Sequence, residues 1–275
     1  MNRRSFLRCA AAAAVPAALG TAAYGLFEAA NVEIARVPLA VPKLPVPFEG
    51  ATVAFLADIH HGPFTELDYV ASVVRTTLAL RPDLIVLGGD YSLKHEKYIR
   101  PCFEVLSALR APMGVFGVLG NHDYWHGIGA SLAGFERSGI AHLTNRGAWL
   151  ERAGYRVRLA GVDDLWTGRA DVSAALGDAT AEDACVLVSH NPDLAETLTD
   201  ERVGVMLSGH THGGQVVFPG GSAPFVPSRY GAKYLKGLVR APHTSVYVSR
   251  GLGCSGVPVR FASRPELTLF TLTGA

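Results

Sequence analysis

The sequence predicts an α/β fold built on a largely parallel sheet, and three observations carry that expectation. From Ala51 onward, short β-branched apolar runs alternate with stretches of helical periodicity. The apolar runs are short and uninterrupted, as in strands covered on both faces. Five of them end in a polar cluster containing Asp, Asn or His, which puts polar chemistry along the carboxyl edge of a sheet. The composition permits this, since 275 residues that are 49% hydrophobic and 18% charged supply one sizeable core.

Taken in order, Thr52–Ala57 reads as a buried strand, and Leu67–Leu80 as a helix stopped by Arg81-Pro82. Leu84–Leu87 is a second strand, Tyr98–Leu109 a second helix and Gly114–Leu119 a third strand, which makes a repeated βαβ pattern. A helix near Ser131–Arg137 follows. Turn signals at Asn145-Arg146-Gly147 and Arg152-Ala153-Gly154 then predict shorter antiparallel strands between Ile140 and Val162. Cys185–Val188 and Val203–Leu207 are further strands, separated by a helical stretch at Pro192–Leu198, and Ser245–Val248 and Leu267–Phe270 close the chain. No internal repeat appears, so one domain is expected over residues 48–275.

Residues 1–30 differ in texture. Arg3 and Arg4 precede Ser5-Phe6-Leu7-Arg8, and an uncharged Ala- and Gly-rich run follows from Cys9 to Phe27. This resembles a twin-arginine export signal, which implies the twin-arginine machinery as a partner and the periplasm or the outer face of the cytoplasmic membrane as the destination. The run of 19 residues is also close to the roughly 20 needed to span a bilayer, so cleavage near Thr21-Ala22-Ala23 and retention as a membrane anchor are both open. Pro38, Pro42, Pro45 and Pro47 mark residues 31–47 as a linker or an edge strand.

Charge and cysteine content exclude other classes. The formal net charge is +1, and without Arg3, Arg4 and Arg8 the count is 22 basic against 24 acidic side chains. A body this close to neutral gives no sign of nucleic acid as a main partner. Cys9, Cys102, Cys185 and Cys254 form no C-x-x-C pair, so neither a zinc ribbon nor a disulfide framework is indicated, and Cys254 in its Gly-rich loop is expected to be the most exposed.

The polar clusters are Asp58-Ile59-His60, Gly89-Asp90, Gly120-Asn121-His122-Asp123, Ser189-His190-Asn191 and Gly209-His210-Thr211-His212. A lone Asp or His after a strand is usually a cap or turn residue, whereas five clusters in succession are not explained that way. Period-two alternation along a strand would point both ligands of Asp58-x-His60, and of His210-x-His212, the same way. The ordered pattern D-x-H, G-D, G-N-H-D, H and G-H-x-H resembles the calcineurin-like metallophosphoesterase superfamily. A metallo-β-lactamase site would need an H-x-H-x-D-H string, which the sequence lacks.

The resemblance implies a four-layer αββα sandwich with mixed sheets and a site for two divalent metal ions. Asp58, His60 and His212 would hold one ion and Asn121, His190 and His210 the other, with Asp90 bridging. Carboxylate, amide and imidazole ligands suit Mn, Fe or Zn, and Mg less well. Two dications about 4 Å apart repel by roughly 17 kcal/mol at an effective dielectric of ~20, so a shared anion is needed. Phosphate esters fit such a site, with a hydroxide held between the ions attacking phosphorus. His122 is the candidate general acid or donor to the phosphoryl oxygens, and Asp123 a catalytic neighbour that orients its loop or a structural turn residue. His61 and His126 lie near these motifs, His61 as a candidate substrate-binding residue and His126 as one that could touch substrate. Arg229, Lys233 and Arg250, in basic Gly-rich segments after the last motif, are candidates for substrate binding or for a solvated basic face.

Those later segments resemble an exported or membrane-associated bacterial branch that includes lipid A precursor pyrophosphohydrolases and cell-wall-associated phosphoesterases. The expected substrate is then an envelope or lipid-linked phosphodiester or pyrophosphate, such as a UDP-acylated sugar. A general nucleotide or phosphodiester hydrolase, and a metal-binding envelope protein with an idle site, are the competing readings.

Overall fold

The structure, a computed structural model, describes residues 19–275. The twin-arginine motif and Cys9 lie outside the described residues. Helix α1, described over residues 19–30, leads into strand β1 (Glu33–Val41), which pairs in parallel with β12 (Glu266–Gly274) at the edge of the first sheet. Residues 33–41 are therefore an edge strand and not a linker. Pro38 is tolerated there because an edge strand leaves one side of its backbone without a ladder partner.

The first sheet has the order β1-β12-β2-β3-β4-β5, with β2 (Thr52–Leu56), β3 (Leu84–Leu87), β4 (Val115–Gly117) and β5 (Ala141–His142) all parallel. β12 pairs antiparallel with β2, so β12 and its parallel neighbour β1 both run opposite to those four. The second sheet runs β10-β11-β9-β8-β7-β6. Its parallel centre is β7 (Tyr155–Gly161), β8 (Cys185–Val188), β9 (Val205–Ser208) and β11 (Ser245–Val248), and the antiparallel edges are β6 (Arg146–Arg152) and β10 (Gly237–Arg240).

Alternation along each central strand assigns its two faces. Val53 and Phe55 of β2 join Val86, Leu159, Val186 and Leu207 in the core between the sheets. Ala54 and Leu56 face the other way, toward helices α2 (Leu67–Ala79), α3 (Ile99–Leu106) and α4 (Asn121–Ser138). Those helices bury a stripe at helical spacing, Val70, Val73, Val74 and Thr77 on α2 and Ile99, Cys102, Phe103 and Leu106 on α3. Beyond the second sheet, α5 (Val172–Leu176) and α6 (Leu194–Thr197) cover Val162, Leu187 and Met206. The result is the αββα sandwich with two mixed sheets.

Three expectations are corrected. Helix α4 begins at Asn121, ten residues before the predicted start, and bends at Gly127 (φ 148°). Cys254 is buried, at 2% exposure, as are Cys102 and Cys185. Residues 24–31, assigned by sequence to a leader and linker, pack on the body: Tyr24 lies against the Phe261 ring at 5.7 Å, and Arg264 Nη2 donates to Asn31 Oδ1. Among the described residues no helix is long and apolar enough to cross a membrane.

Candidate active site

The strands deliver the polar clusters to one end of the sandwich. Asp58 and His60 follow β2, Asp90 follows β3, Asn121 and His122 follow β4, His190 follows β8, and His210 and His212 follow β9. The site thus spans the carboxyl ends of parallel strands from both sheets, the usual crevice position in α/β folds. All seven expected metal ligands are buried. Backbone hydrogen bonds stitch the loops together, from Asp58 N–H to Gly89 O, His60 N–H to Asp90 O and Gly209 N–H to His190 O, each 3.0 Å.

The side chains converge, but not by strand alternation. The strands end before the ligands, and Asp58, His60, Asp90, His210 and His212 have φ between 48° and 73°. This left-handed conformation is uncommon for residues other than glycine, and it curls each loop inward.

Three groups of ligand atoms result: Asp58 with His60 and His212, Asp90 with His190 and His210, and, joining these two, His60 with Asp90 and His122, the atoms within each lying no more than 4.8 Å apart. His60 Nε2 is 3.0 Å from His212 Nε2, and His212 Nε2 is 3.5 Å from Asp58 Oδ1. Asp90 Oδ2 is 3.2 Å from His190 Nε2 and 3.4 Å from His60 Nε2, which places this carboxylate between the groups. The donor set fits divalent cations. Imidazole nitrogens crowd one another and the carboxylates, and the buried Asn121 Oδ1 and His210 Nε2 have no hydrogen-bond partner. His190 Nδ1, 2.8 Å from the Gly88 carbonyl, fixes its ring so that Nε2 faces the site.

Electrostatics in the metal-free site follow from burial and mutual charge. Burial pushes the Asp58 carboxyl up to about 7 and the imidazoles of His60 and His210 down to about 3, with His212 also well below its usual range. Burial also works to lower His190, but the Asp90 carboxylate in contact with it, helped by Asp58, brings it up to about 10. Burial likewise opposes ionisation of Asp90, yet His190, His122 and His60 hold it well below the ordinary carboxylate range. The metal-free site therefore keeps a proton between His190 and Asp90 where cations would sit.

A profile of the calcineurin-like phosphoesterase family matches residues 51–214, which contain every one of these ligands. The chain belongs to the calcineurin-like phosphoesterases. It is 32% identical to the uncharacterized metallophosphoesterase YkuE of Bacillus subtilis, covering 99% of this chain and 98% of that protein. It is 33% identical to the phosphodiesterase YaeI of Escherichia coli, covering 99% of each. Among solved structures, the NAD nucleotidase of Haemophilus influenzae is similar in fold, with a TM-score of 0.50 and 15% identity over 74% of this chain and 45% of that one. The chain is a metal-dependent phosphohydrolase.

Around the ligands, the phosphoesterase places the other candidates differently. His122 lines the cleft, its backbone N–H donating to Asp90 Oδ1 at 2.8 Å and its Nδ1 lying 3.0 Å from His126 Nε2. Burial lowers the His122 imidazole, favouring its neutral form. Asp123 is fully buried and accepts backbone N–H groups from Gly120, Asp90 and Tyr91 at 2.8, 2.9 and 3.0 Å. These bonds tie the Asp90 loop to the start of α4.

The four candidate substrate contacts do not line this cleft. His61 is buried with Nδ1 2.9 Å from Thr65 O. Arg250 pairs with Glu266 at 2.6 Å and Glu33 at 3.2 Å, fastening β1 to β12 and the loop after β11. Lys233 pairs with Glu196. Arg229 borders a neighbouring hollow with Tyr230, Thr197 and Trp166.

The cleft itself, about 470 Å³, is walled by Trp125, His126, Trp166, Gln215, Phe225 and Pro227. Trp166 sets its ring edge-on to His210, 4.3 Å between centroids. Sequence reasoning assigned Trp125, Trp166 and Phe225 no role. His126, expected near the motifs, does line the cleft, four residues along the helix from His122. Arg260 was also missed. It is fully buried, with Nη2 3.4 Å from His212 Nδ1, and no local pattern marks it.

Proposed function

We propose that this phosphoesterase is a binuclear enzyme that hydrolyses a phosphodiester or pyrophosphate bond, with Asp58, His60 and His212 holding one ion, Asn121, His190 and His210 the other, and Asp90 shared. The observation that carries the reading is the position of Asp90, within 3.4 Å of His60 on one side and 3.2 Å of His190 on the other. Two bound dications supply charge neutralisation for the phosphoryl oxygens and lower the pKa of a water nucleophile.

The chain's own residues do the rest. Asp90 is held by the His122 N–H and by Asp123 through its backbone, so its carboxylate is fixed before substrate arrives. With Nδ1 turned to His126, Nε2 of His122 is the ring atom left to donate a hydrogen bond to a phosphoryl oxygen or a proton to the leaving oxygen. Trp125, Trp166 and Phe225 give the phosphate's neighbour an apolar wall and limit water beside it.

That wall supports a substrate whose phosphate is attached to a large apolar or aromatic group, as in a UDP-acylated sugar or another lipid-linked envelope phosphate. The export-signal resemblance of residues 2–8 supports delivery by the twin-arginine route to the periplasm or the outer membrane face. The name of the relative YaeI favours a second reading, a general phosphodiester hydrolase. A panel with metal-replete protein separates them: preference for the acylated nucleotide sugar over soluble nucleotides and simple diesters supports the first. If no phosphomono-, phosphodi- or pyrophosphate ester is cleaved, or if His122→Ala and Asp90→Asn leave turnover intact, the mechanism is wrong.

A further inference from the structure

Helix α1 exposes large apolar side chains, with Leu19, Leu26 and Phe27 at 66%, 53% and 65%. Glu28, in its last turn, is by contrast buried, at 2%. A carboxylate is disfavoured both by burial and by the negative end of a helix, so helix stability does not account for it. Its Oε1 accepts the Ser263 N–H at 2.8 Å, and the Ser263 hydroxyl donates to the His212 carbonyl at 2.9 Å.

A second tie runs beside the first. The Gly25 carbonyl accepts the Arg260 N–H at 3.0 Å, and a Cβ on Gly25 would come within 2.6 Å of the Phe261 ring. The Arg260 guanidinium reaches His212 Nδ1 and donates to the carbonyls of Arg250, Gly251, Gly253 and Ser263. Gly253 N–H in turn donates to the Asp58 carbonyl at 2.7 Å. Both ties end on His212 or Asp58, ligands of the same group; neither reaches His190 or Asn121.

We propose that helix α1, from Gly25 through Glu28, is a permanent part of the active site, with Glu28 and Ser263 positioning residues for the ion held by Asp58, His60 and His212. The inference rests on the binuclear reading of that site. Polar partners of ligand-bearing segments fix ligand orientation, and their loss typically weakens metal binding. A leader cut near Ala23 keeps both ties, whereas a cut at residue 30 removes them.

The test uses the full chain, stripped of metal and titrated with Mn²⁺ as wild type, Glu28→Ala, Glu28→Gln and Ser263→Ala. Glu28→Ala is expected to weaken one of two ions roughly 10- to 100-fold and leave the other unchanged. Glu28→Gln should bind as wild type does, because its amide oxygen still accepts the Ser263 N–H. Ser263→Ala, which keeps that bond and removes only the hydroxyl bond to His212, should weaken the same ion. A purely structural role would weaken both ions alike.

Wild-type binding in either alanine variant, equal weakening of both ions, or a glutamine variant as impaired as alanine overturns the inference while the binuclear reading stands. A wild-type chain that binds no Mn²⁺ overturns both. Intact mass of the protein from its own cells is expected to show a mature chain starting at or before Tyr24, and a later start overturns the inference.

Discussion

Replacing Asp123 by alanine removes the acceptor shared by three buried N–H groups, those of Gly120, Asp90 and Tyr91. An unpaired buried donor costs about 1–3 kcal/mol, so three set a ceiling of roughly 9 kcal/mol. Two effects reduce it. Burial pushes the Asp123 carboxyl up to about 7 against the opposing N–H bonds, so alanine also removes a poorly solvated charge, and water can enter the vacated space. The expected loss is about 3–5 kcal/mol, with Asp123→Asn intermediate because an amide oxygen retains part of the acceptor set. Urea unfolding of the metal-free protein, fitted with a common slope, measures it. Turnover should fall as well, since the displaced loops carry Asp90 and Asn121. A loss below about 1 kcal/mol in Asp123→Ala would refute the claim that these bonds organise the loops. Abolished turnover in Asp123→Asn at unchanged stability and metal content would instead assign Asp123 a direct chemical role.

Gly209→Ala and Gly120→Ala should each reduce bound metal, because the new Cβ would lie 2.4 Å from Asp58 Oδ2 and 2.3 Å from Asp90 Oδ1 respectively; full metal content by elemental analysis would contradict this. Metal loading at pH 7 should release about one to two protons per chain, since His190 and half of Asp58 are protonated in the metal-free site and bind cations deprotonated. The sign follows from His190 lying above its ordinary 6.5. In the metal-free protein its pairing with Asp90 adds stability below that value and loses it as pH rises through about 10, so metal affinity should climb over the same window. Calorimetry in buffers of different ionisation enthalpy reads the released protons, and proton-neutral binding would exclude the pairing. His210→Ala should deplete chiefly the ion shared with His190 and Asn121, and His212→Ala the one shared with Asp58 and His60; equal loss of both ions in each variant would show that the two sites fill together.

Central strands were legible because burial on both faces selects uninterrupted β-branched runs, as at Leu84–Leu87 and Cys185–Val188. Edges were not. Strand β1 carries Pro38, and β10 is a four-residue segment half open to solvent, so neither shows the apolar run that marks a strand. The position of β12 between β1 and β2 depends on pairing across more than 200 residues of chain, which no local signal records. The start of α4 was hidden by His122, Trp125 and Gly127, poor helix formers that line the cleft or bend the helix. The ligands were legible by residue type and order. The cleft walls were not, since an isolated Trp or Phe in a loop has no spacing rule.

The convergence of these side chains was expected from strand alternation, and the structure achieves it by another route. In an extended strand, residues two apart lie about 6.6 Å from one another with parallel side chains, a poor arrangement for Asp58 and His60, which are assigned to one ion. The left-handed backbone at Asp58, His60, Asp90, His210 and His212 folds each pair inward instead. Each such residue costs of order 1 kcal/mol, less for Asp and His than for branched residues. The strain is held by bonds that exist without metal: Asp58 N–H to Gly89 O, His60 N–H to Asp90 O, and His210 N–H to the Asp58 carboxylate. Gly209, Gly251 and Gly253 leave the space those turns need, since a Cβ at any of them would strike Asp58, Ile59 or His60. Convergence of the ligands is therefore built into the backbone, so binding cations need not first bend the loops.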